Sequence, residues 1–347
     1  ATGPYGTVLP FSYNIYISNV SGSDTSGNGQ IGNPYKSITY ALTQLPASQS
    51  IPVIINLACG TYTENITVSR ANLYLVGGST SLSSATFVNG SITWDATGSG
   101  QAIIIGGISS IQCLNILYNN AAQFDQTLLI TDCVILSASG VSAIKATDTS
   151  TGGGNGSITL QNSIVYFIDT IAIDISGTAA INAINTQITN YPFTSAGVQL
   201  VKTSGACRIS LFGCSLFQNN ATSTVLPLID ITNTTASGAS GMTINSCILQ
   251  YTSAASDAGT GSKCCIRYSN TVNIGSATVA GLNLIYNNLI CEGATTTNGS
   301  AAQFVVIQKT GAGNTYLRHG GNYCGTNANH LSGSATLVKT PWVALSN

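Results

Sequence analysis

Apolar residues in this chain fall in short runs with period-two alternation, and the runs recur every 24 to 41 residues. One recurring pattern is an apolar residue, two polar or small residues, then Cys, Ser, Gln or Asn, and then more apolar residues. Its clearest copies are Ile130-Thr131-Asp132-Cys133-Val134, Leu160-Gln161-Asn162-Ser163-Ile164, Ile184-Asn185-Thr186-Gln187-Ile188, Leu211-Phe212-Gly213-Cys214-Ser215, Ile244-Asn245-Ser246-Cys247-Ile248 and Ile285-Tyr286-Asn287-Asn288-Leu289. Between them lies a second pattern: Ala143-Ile144-Lys145-Ala146-Thr147, Ala172-Ile173-Asp174-Ile175-Ser176, Leu200-Val201-Lys202-Thr203, Leu228-Ile229-Asp230-Ile231-Thr232 and Cys265-Ile266-Arg267-Tyr268-Ser269. Alternation of this kind predicts half-buried strands. A repeat that keeps its strands while its loops vary in length predicts a solenoid. Each coil reads as a strand, a tight bend at Asp132, Asn162 or Asn287, a second strand, a loop, a third strand and another loop. The longest loops, 147–156, 232–241 and 268–281, all follow the second pattern and are expected to stack on one side, where grouped insertions commonly form a binding face.

The first part of the chain departs from this rhythm. Residues 14–20 alternate as a strand, and 22–34 form a loop rich in Gly, Ser and Asn. Pro34 suits a first helical turn; Tyr35, Ile38, Tyr40, Ala41, Leu42 and Leu45 fit one helical face, and Pro46 ends it. Then come Val53-Ile54-Ile55-Asn56-Leu57, a turn through Gly60, and Tyr62 to Ile66. The run Gly22-Ser23-Asp24, Gly27, Gly29, Asn33-Pro34-Tyr35-Lys36-Ser37-Ile38, Ala41-Leu42 resembles the amino-terminal cap of pectin lyase-like proteins. Val53 to Leu57 with Gly60-Thr61-Tyr62 and Glu64-Asn65-Ile66 resembles their first full coil. The resemblance implies an all-β, right-handed parallel β-helix with an N-terminal cap helix. Residues 1–50 would be the strand, loop and cap helix, 51–317 the β-helix and 318–347 a C-terminal cap, as one structural unit. The superfamily holds polysaccharide lyases, glycosidases, pectin esterases, phage tailspikes and other virion proteins, so it constrains fold more than function.

Charge sharpens the picture. Only 6% of the residues are charged, against about 25% in an ordinary soluble domain, while 44% are apolar and the net charge is −1. A neutral surface of hydroxyls and amides gives little pull on nucleic acid or acidic lipid, and neither is expected as a partner. No run reaches the roughly 18 apolar residues of a membrane span, and the first residues show no basic or apolar leader segment. Of ten cysteines, Cys133, Cys214 and Cys247 share one repeat position, as small interior hydrophobes would, and are expected to be free buried thiols. The neighbours Cys264 and Cys265 cannot bridge each other without strain. Seven Asn-x-Ser/Thr sequons begin at Asn19, Asn65, Asn89, Asn155, Asn220, Asn233 and Asn298, and in so Asn-, Ser- and Thr-rich a chain they read as chance.

Five of the 21 charged side chains fall in one inferred register. The central, outward position of the second pattern carries Lys145, Asp174, Lys202, Asp230 and Arg267 in turn, with alternating sign. Strands about 4.8 Å apart would set each charge between two opposite ones, a solvated row that fixes register and is worth about 0–1 kcal/mol per pair. The resemblance implies that enzymes of the superfamily place acids and bases on this sheet, so Asp174, Asp230, Lys202 and Arg267 form the catalytic alternative. Alternation counts against it. A lyase needs clustered carboxylates for Ca²⁺ beside an unpaired base, and a glycosidase needs adjacent carboxylates.

Other candidates are thinner. Asp24, Ser26 and Asn28 match the first half of a Ca²⁺ loop, but Tyr35 stands where the bidentate Glu is needed, so a turn cap is expected. Asp169 and Asp174 are expected to be unrelated surface groups. His319 and His330 lack a Cys or carboxylate cluster, and neither a metal nor another cofactor is expected. The triplet Gly152-Gly153-Gly154 lacks the Lys-Ser/Thr of a phosphate loop. Tyr118, Tyr166, Phe167, Tyr191, Phe193, Phe212, Phe217 and Tyr251 lie in or near the bend strands, as packing or as platforms for sugar rings. The expected function is a non-catalytic structural or adhesive protein of a virion or cell exterior. Glycans and other virion or surface proteins would be its partners, and a homo-oligomer, favoured as a trimer, its state, with Trp342 at a subunit contact. The alternative is a polysaccharide lyase or glycoside hydrolase.

Overall fold

The computed structural model describes residues 13–45, 52–69, 72–78, 86–96, 102–108, 110–118, 126–137, 140–148, 156–190, 199–220, 227–232, 241–253, 264–269, 283–292, 305–310, 315–320, 323–324, 329–333 and 337–339. Among them are thirty strands and one six-residue helix. The coils are those of a right-handed parallel β-helix: strands pair in parallel with the equivalent strand one coil away, not with their neighbour in sequence. The chain divides into two compact units, residues 1–136 with 148–164, and 137–147 with 165–347.

In the first unit, Tyr13–Ile17, Val53–Leu57, Leu73–Gly77, Ala102–Gly106, Gln126–Thr131 and Gly156–Gln161 form one parallel sheet in that order. Its register stacks Ile15, Ile55, Leu75, Ile105, Ile130 and Leu160, all buried, in one aliphatic column. Period-two alternation makes this possible: Val53, Ile55 and Leu57 point inward while Ile54 and Asn56 stay half-exposed. Truncating one member, as in Ile55→Ala, is expected to cost about 2–5 kcal/mol.

The helix, Ile38–Thr43, belongs to this unit and buries Ile38 and Ala41. It starts three residues later than the apolar pattern predicts. Tyr35 is held extended instead: its N–H donates to the Tyr16 carbonyl and its own carbonyl accepts from Ser18 N–H. Ser37 then becomes the N-cap, its Oγ accepting from Tyr40 N–H. Glu64 accepts from the Ile38 and Thr39 N–H groups at 3.0 and 2.8 Å, so acceptors are supplied for the helix's open end. The same segment covers the free edge of Tyr13–Ile17, since Tyr16 N–H also donates to Gly29 O.

In the second unit, Ala180–Ile184, Arg208–Phe212, Met242–Asn245, Asn283–Tyr286, Thr315–Gly320 and Leu337–Lys339 make one sheet. A second runs from residues 144–147 through Ile173–Gly177, Val201–Gly205, Ile229–Ile231, Cys264–Tyr268 and Val305–Lys309 to Asn329–Gly333. A third holds Gln187–Asn190, Ser215–Asn220, Ile248–Ser253, Leu289–Glu292 and Tyr323–Cys324. Coil pairing thus continues past Arg318.

The bends follow the sequence closely, except that in the copy 184–188 the inward residue is Thr186 and Gln187 is exposed, one position off the expected alignment. In the first unit Gly107, Asp132 and Asn162, and in the second Asn185, Gly213, Ser246 and Asn287, have φ between 49° and 62°. Asn, Asp and Gly tolerate this left-handed conformation best. The next residue in each coil turns inward. Cys133 N–H donates to Ser163 Oγ at 3.2 Å in the first unit. In the second, Cys214 N–H donates to Cys247 Sγ at 3.4 Å and Cys247 N–H to Asn288 Oδ1 at 2.8 Å. The cysteines are therefore members of a hydrogen-bonded column rather than plain hydrophobes, which is why Ser, Thr and Asn share their position. Cys133, Cys207, Cys214 and Cys247 are buried free thiols, and Cys59 is an exposed one. Burial pushes the Cys133 thiol up to about 12. The hydrogen bond between the Cys214 and Cys247 thiols lowers the first and raises the second.

Candidate functional site

The charge row exists in the inferred register. On the outward face of the second unit's second sheet, Lys145 pairs with Asp174, Asp174 with Lys202, Lys202 with Asp230, Asp230 with Arg267 and Arg267 with Gln308. The flanking residues Ile173, Ile175, Val201 and Ile229 are buried, which forces the charges to the other face.

The chemistry of the row differs from a uniform solvated ladder. Arg267 closes on Asp230 with Nη2–Oδ2 at 2.5 Å and Nε–Oδ1 at 3.2 Å, a two-pronged pair. Gln199 Nε2 donates to Oδ2 at 2.7 Å and Ser269 Oγ to Oδ1 at 3.2 Å. Each carboxylate oxygen thus takes two hydrogen bonds, and the Asp230 side chain is only 3% exposed. Four donors and no acceptor surround it, and charge-assisted bonds of this kind are the strong ones. Asp174, Lys202 and Lys145 stand in register without an ion pair among the described residues. The expectation of solvated neighbours exchanging charge along the row is corrected here: one pair is sealed, and the other three groups remain open to solvent or ligand. Burial decides the difference, because Gln199, just ahead of Val201–Gly205, and Ser269, just after Cys264–Tyr268, cover Asp230.

A second row lies beside the first and escaped the sequence reading. The residue two positions after each charge is Thr147, Ser176, Ser204, Thr232 and Ser269, followed by Thr310 after Gln308. Thr147, Ser176 and Ser204 are direct partners in register. Ser176 Oγ donates to Thr147 Oγ1 at 3.3 Å, Ser269 and Thr310 hydroxyls are 3.1 Å apart, and Thr232 Oγ1 donates to Thr203 O. The charge-x-hydroxyl spacing in all five copies was the available signal. Two rows about 7 Å apart along the strands make a flat polar face with both charged and neutral hydrogen-bonding groups.

The remaining candidates do not join this site. Asp24 carboxylate oxygens accept from Lys36 N–H, Ser37 N–H and Ser37 Oγ at 2.7 to 3.1 Å. Ser26 Oγ donates to Ser23 Oγ, and Asn28 Oδ1 accepts from Gln30 N–H. Each of the three side chains is used in a different local turn. Among the described residues no three His, Cys, Asp or Glu side chains converge on a metal position. Asp169 Oδ1 accepts from Gly140 N–H at 2.8 Å. Of the aromatics, Phe167 is buried, Tyr166 and Phe217 are half-buried and Phe212 is exposed. Tyr191, Phe193 and Trp342, and the side chains of Tyr118, Tyr251, His319 and His330, lie outside the described residues.

No protein-family model matches the chain, and no curated protein matches it. Solved structures do. Pectin methylesterase PemA from Erwinia chrysanthemi is 13% identical with a TM-score of 0.47, over 95% of this chain and 93% of that one. The pectin methylesterase from Aspergillus niger in deglycosylated form is 12% identical with a TM-score of 0.38, over 98% and 93%. A GH136 lacto-N-biosidase from Eubacterium ramulus is 10% identical with a TM-score of 0.26, over 90% and 67%. At these identities the likeness concerns the course of the chain and not its chemistry.

Proposed function

We propose that this chain is a glycan-engaging β-helix of a virion or cell exterior, structural or adhesive, that holds its ligand without cutting it. The observation that supports this most is the state of Asp230. Its carboxylate is buried and takes hydrogen bonds from Arg267, Gln199 and Ser269, so it has no free lone pair aimed outward with which to take a proton from a substrate. Asp174, the other carboxylate of the row, has a lysine in register on each side and no carboxylate next to it. The hydroxyl row supplies the neutral donors and acceptors a sugar needs, and Lys145 and Lys202 add charge at the same face. Assembly side by side with other copies or other surface proteins, a trimer in the first place, goes with this role.

One observation favours the second reading, a polysaccharide lyase or hydrolase. Lys202 is a half-buried amine without an ion pair among the described residues, standing between Asp174 and Asp230 as a general base would. The experiment that separates the two is a binding and turnover screen on one set of glycans, acidic and neutral, with the purified chain. Binding without release of new chain ends supports the first reading. Chain ends that accumulate, and vanish in Lys202→Ala, support the second.

A further inference from the structure

One outward face of the first unit takes no part in either reading. Its sheet of Tyr13–Ile17, Val53–Leu57, Leu73–Gly77, Ala102–Gly106, Gln126–Thr131 and Gly156–Gln161 contains no Asp, Glu, Lys, Arg or His. At the centre of its outward side Ile54, Tyr74, Ile104 and Leu129 are register partners on successive strands, all half-exposed. The row ends in polar residues, Asn14 beside Ile54 and Thr159 beside Leu129. The next outward row, Asn56, Val76, Gly106, Thr131 and Gln161, adds one more aliphatic side chain among amides and a hydroxyl. An apolar centre inside a polar, uncharged rim is the anatomy of a protein–protein contact. Other faces differ. On the neighbouring sheet of the same unit the outward partners are Thr67 and Thr93. In the second unit the strands Arg208–Phe212, Thr315–Gly320 and Leu337–Lys339 bring in Arg208, Arg318 and Lys339.

Resting on the side-by-side assembly proposed above, we infer that the occupant of this face is the same face of a second copy, sheet against sheet across a two-fold axis. A two-fold contact sets each patch against itself. This face meets its copy with no like charges opposed, and Ile54, Tyr74, Ile104 and Leu129 of one copy cover those of the other. The size is sufficient. Six strands about 4.8 Å apart, each of five residues rising about 3.3 Å, span roughly 480 Å² per copy and about 1,000 Å² over two, where specific interfaces begin. Two sheets packed in this way interdigitate their facing side chains, as in a sandwich. A face that pairs with itself closes at two copies, so the assembly is a dimer where the reading above puts a trimer first.

The test is sedimentation equilibrium of the full chain over a dilution series, in the wild type, Tyr74→Lys, Ile104→Lys and Thr67→Lys. The last variant puts the same charge on the neighbouring sheet. A melting curve checks that each is folded, and Tyr74→Thr/Ile104→Thr, which keeps strand-forming residues, replaces a lysine variant that is not. The inference predicts a wild-type mass of twice the chain's 35.5 kDa. It predicts dimerisation at least about tenfold weaker in Tyr74→Lys and Ile104→Lys, and unchanged in Thr67→Lys. A dimer or trimer that both lysine variants at this face leave intact overturns the inference and leaves side-by-side assembly standing. Equal weakening by Thr67→Lys has the same meaning. A monomer at the highest soluble concentration overturns both, and gives the face to a different protein.

Discussion

Lys202 stands one strand away from Asp230 in perfect register, yet the Asp230 carboxylate turns from it to Arg267, 2.5 Å away on the opposite side. Register and pairing are therefore separate facts in this sheet. Parallel strands set which backbones lie side by side, and the local cover by Gln199 and Ser269 sets which side chains meet. The row is a sealed pair at one end and three open charges at the other.

That asymmetry predicts unequal costs of mutation. Arg267→Met leaves a buried carboxylate without its cation and is expected to cost about 3–5 kcal/mol. Asp174→Asn removes a half-exposed charge that has no ion pair among the described residues and is expected to cost less than about 1 kcal/mol. Urea unfolding of the two variants measures the difference.

A double-mutant cycle gives the same distinction in finer form. Asp230 with Arg267 should couple by more than about 0.5 kcal/mol, while Lys145 with Asp174 should be additive within that margin. Coupling of equal size in both pairs would show a continuous ladder instead.

The bends offer an independent test. Asn162 has φ 49°, so Asn162→Ala is expected to cost about 1–2 kcal/mol, whereas Asn162→Gly should be near neutral. Chemical denaturation of both variants reads this out.

Alkali should destabilise the fold in a defined window. Cys133 has its thiol pushed from 9.0 to about 12 and Tyr62 its phenol from 10.0 to about 12, both chiefly by burial. Between pH 9 and 12 the unfolded chain releases these protons while the folded chain keeps them, so stability is full below pH 9 and falls as pH rises to 12. Cys133→Ala should flatten the early part of that fall. The same burial predicts that a thiol reagent at pH 8 labels Cys59 in the native protein and leaves Cys133, Cys207, Cys214 and Cys247 until denaturation.

Much of this was legible in the amino-acid order. Apolar flanks around Lys145, Asp174, Lys202, Asp230 and Arg267 placed the charges outward and in one row, because a period of two leaves no other choice. Asp132, Asn162 and Asn287 marked bends because few residues accept their backbone conformation. The start of the helix was not legible: Tyr35 fits a helical face, but its backbone is claimed by Tyr16 and Ser18, a contact set by tertiary structure. Nor was the burial of Asp230, which depends on Gln199 and Ser269, residues 31 and 39 positions away. The hydroxyl row was written in the sequence at fixed spacing and is evident once the coils are stacked.

The central claim, that the row holds structure and ligand rather than performing catalysis, is tested most directly by Asp230→Asn measured for melting temperature and glycan turnover together. Asn cannot accept four hydrogen bonds from Arg267, Gln199 and Ser269 as the carboxylate does, so the account predicts a lower melting temperature, with no polysaccharide cleavage in either the wild type or the variant. Cleavage by the wild type that Asp230→Asn abolishes, at an unchanged melting temperature, would contradict it.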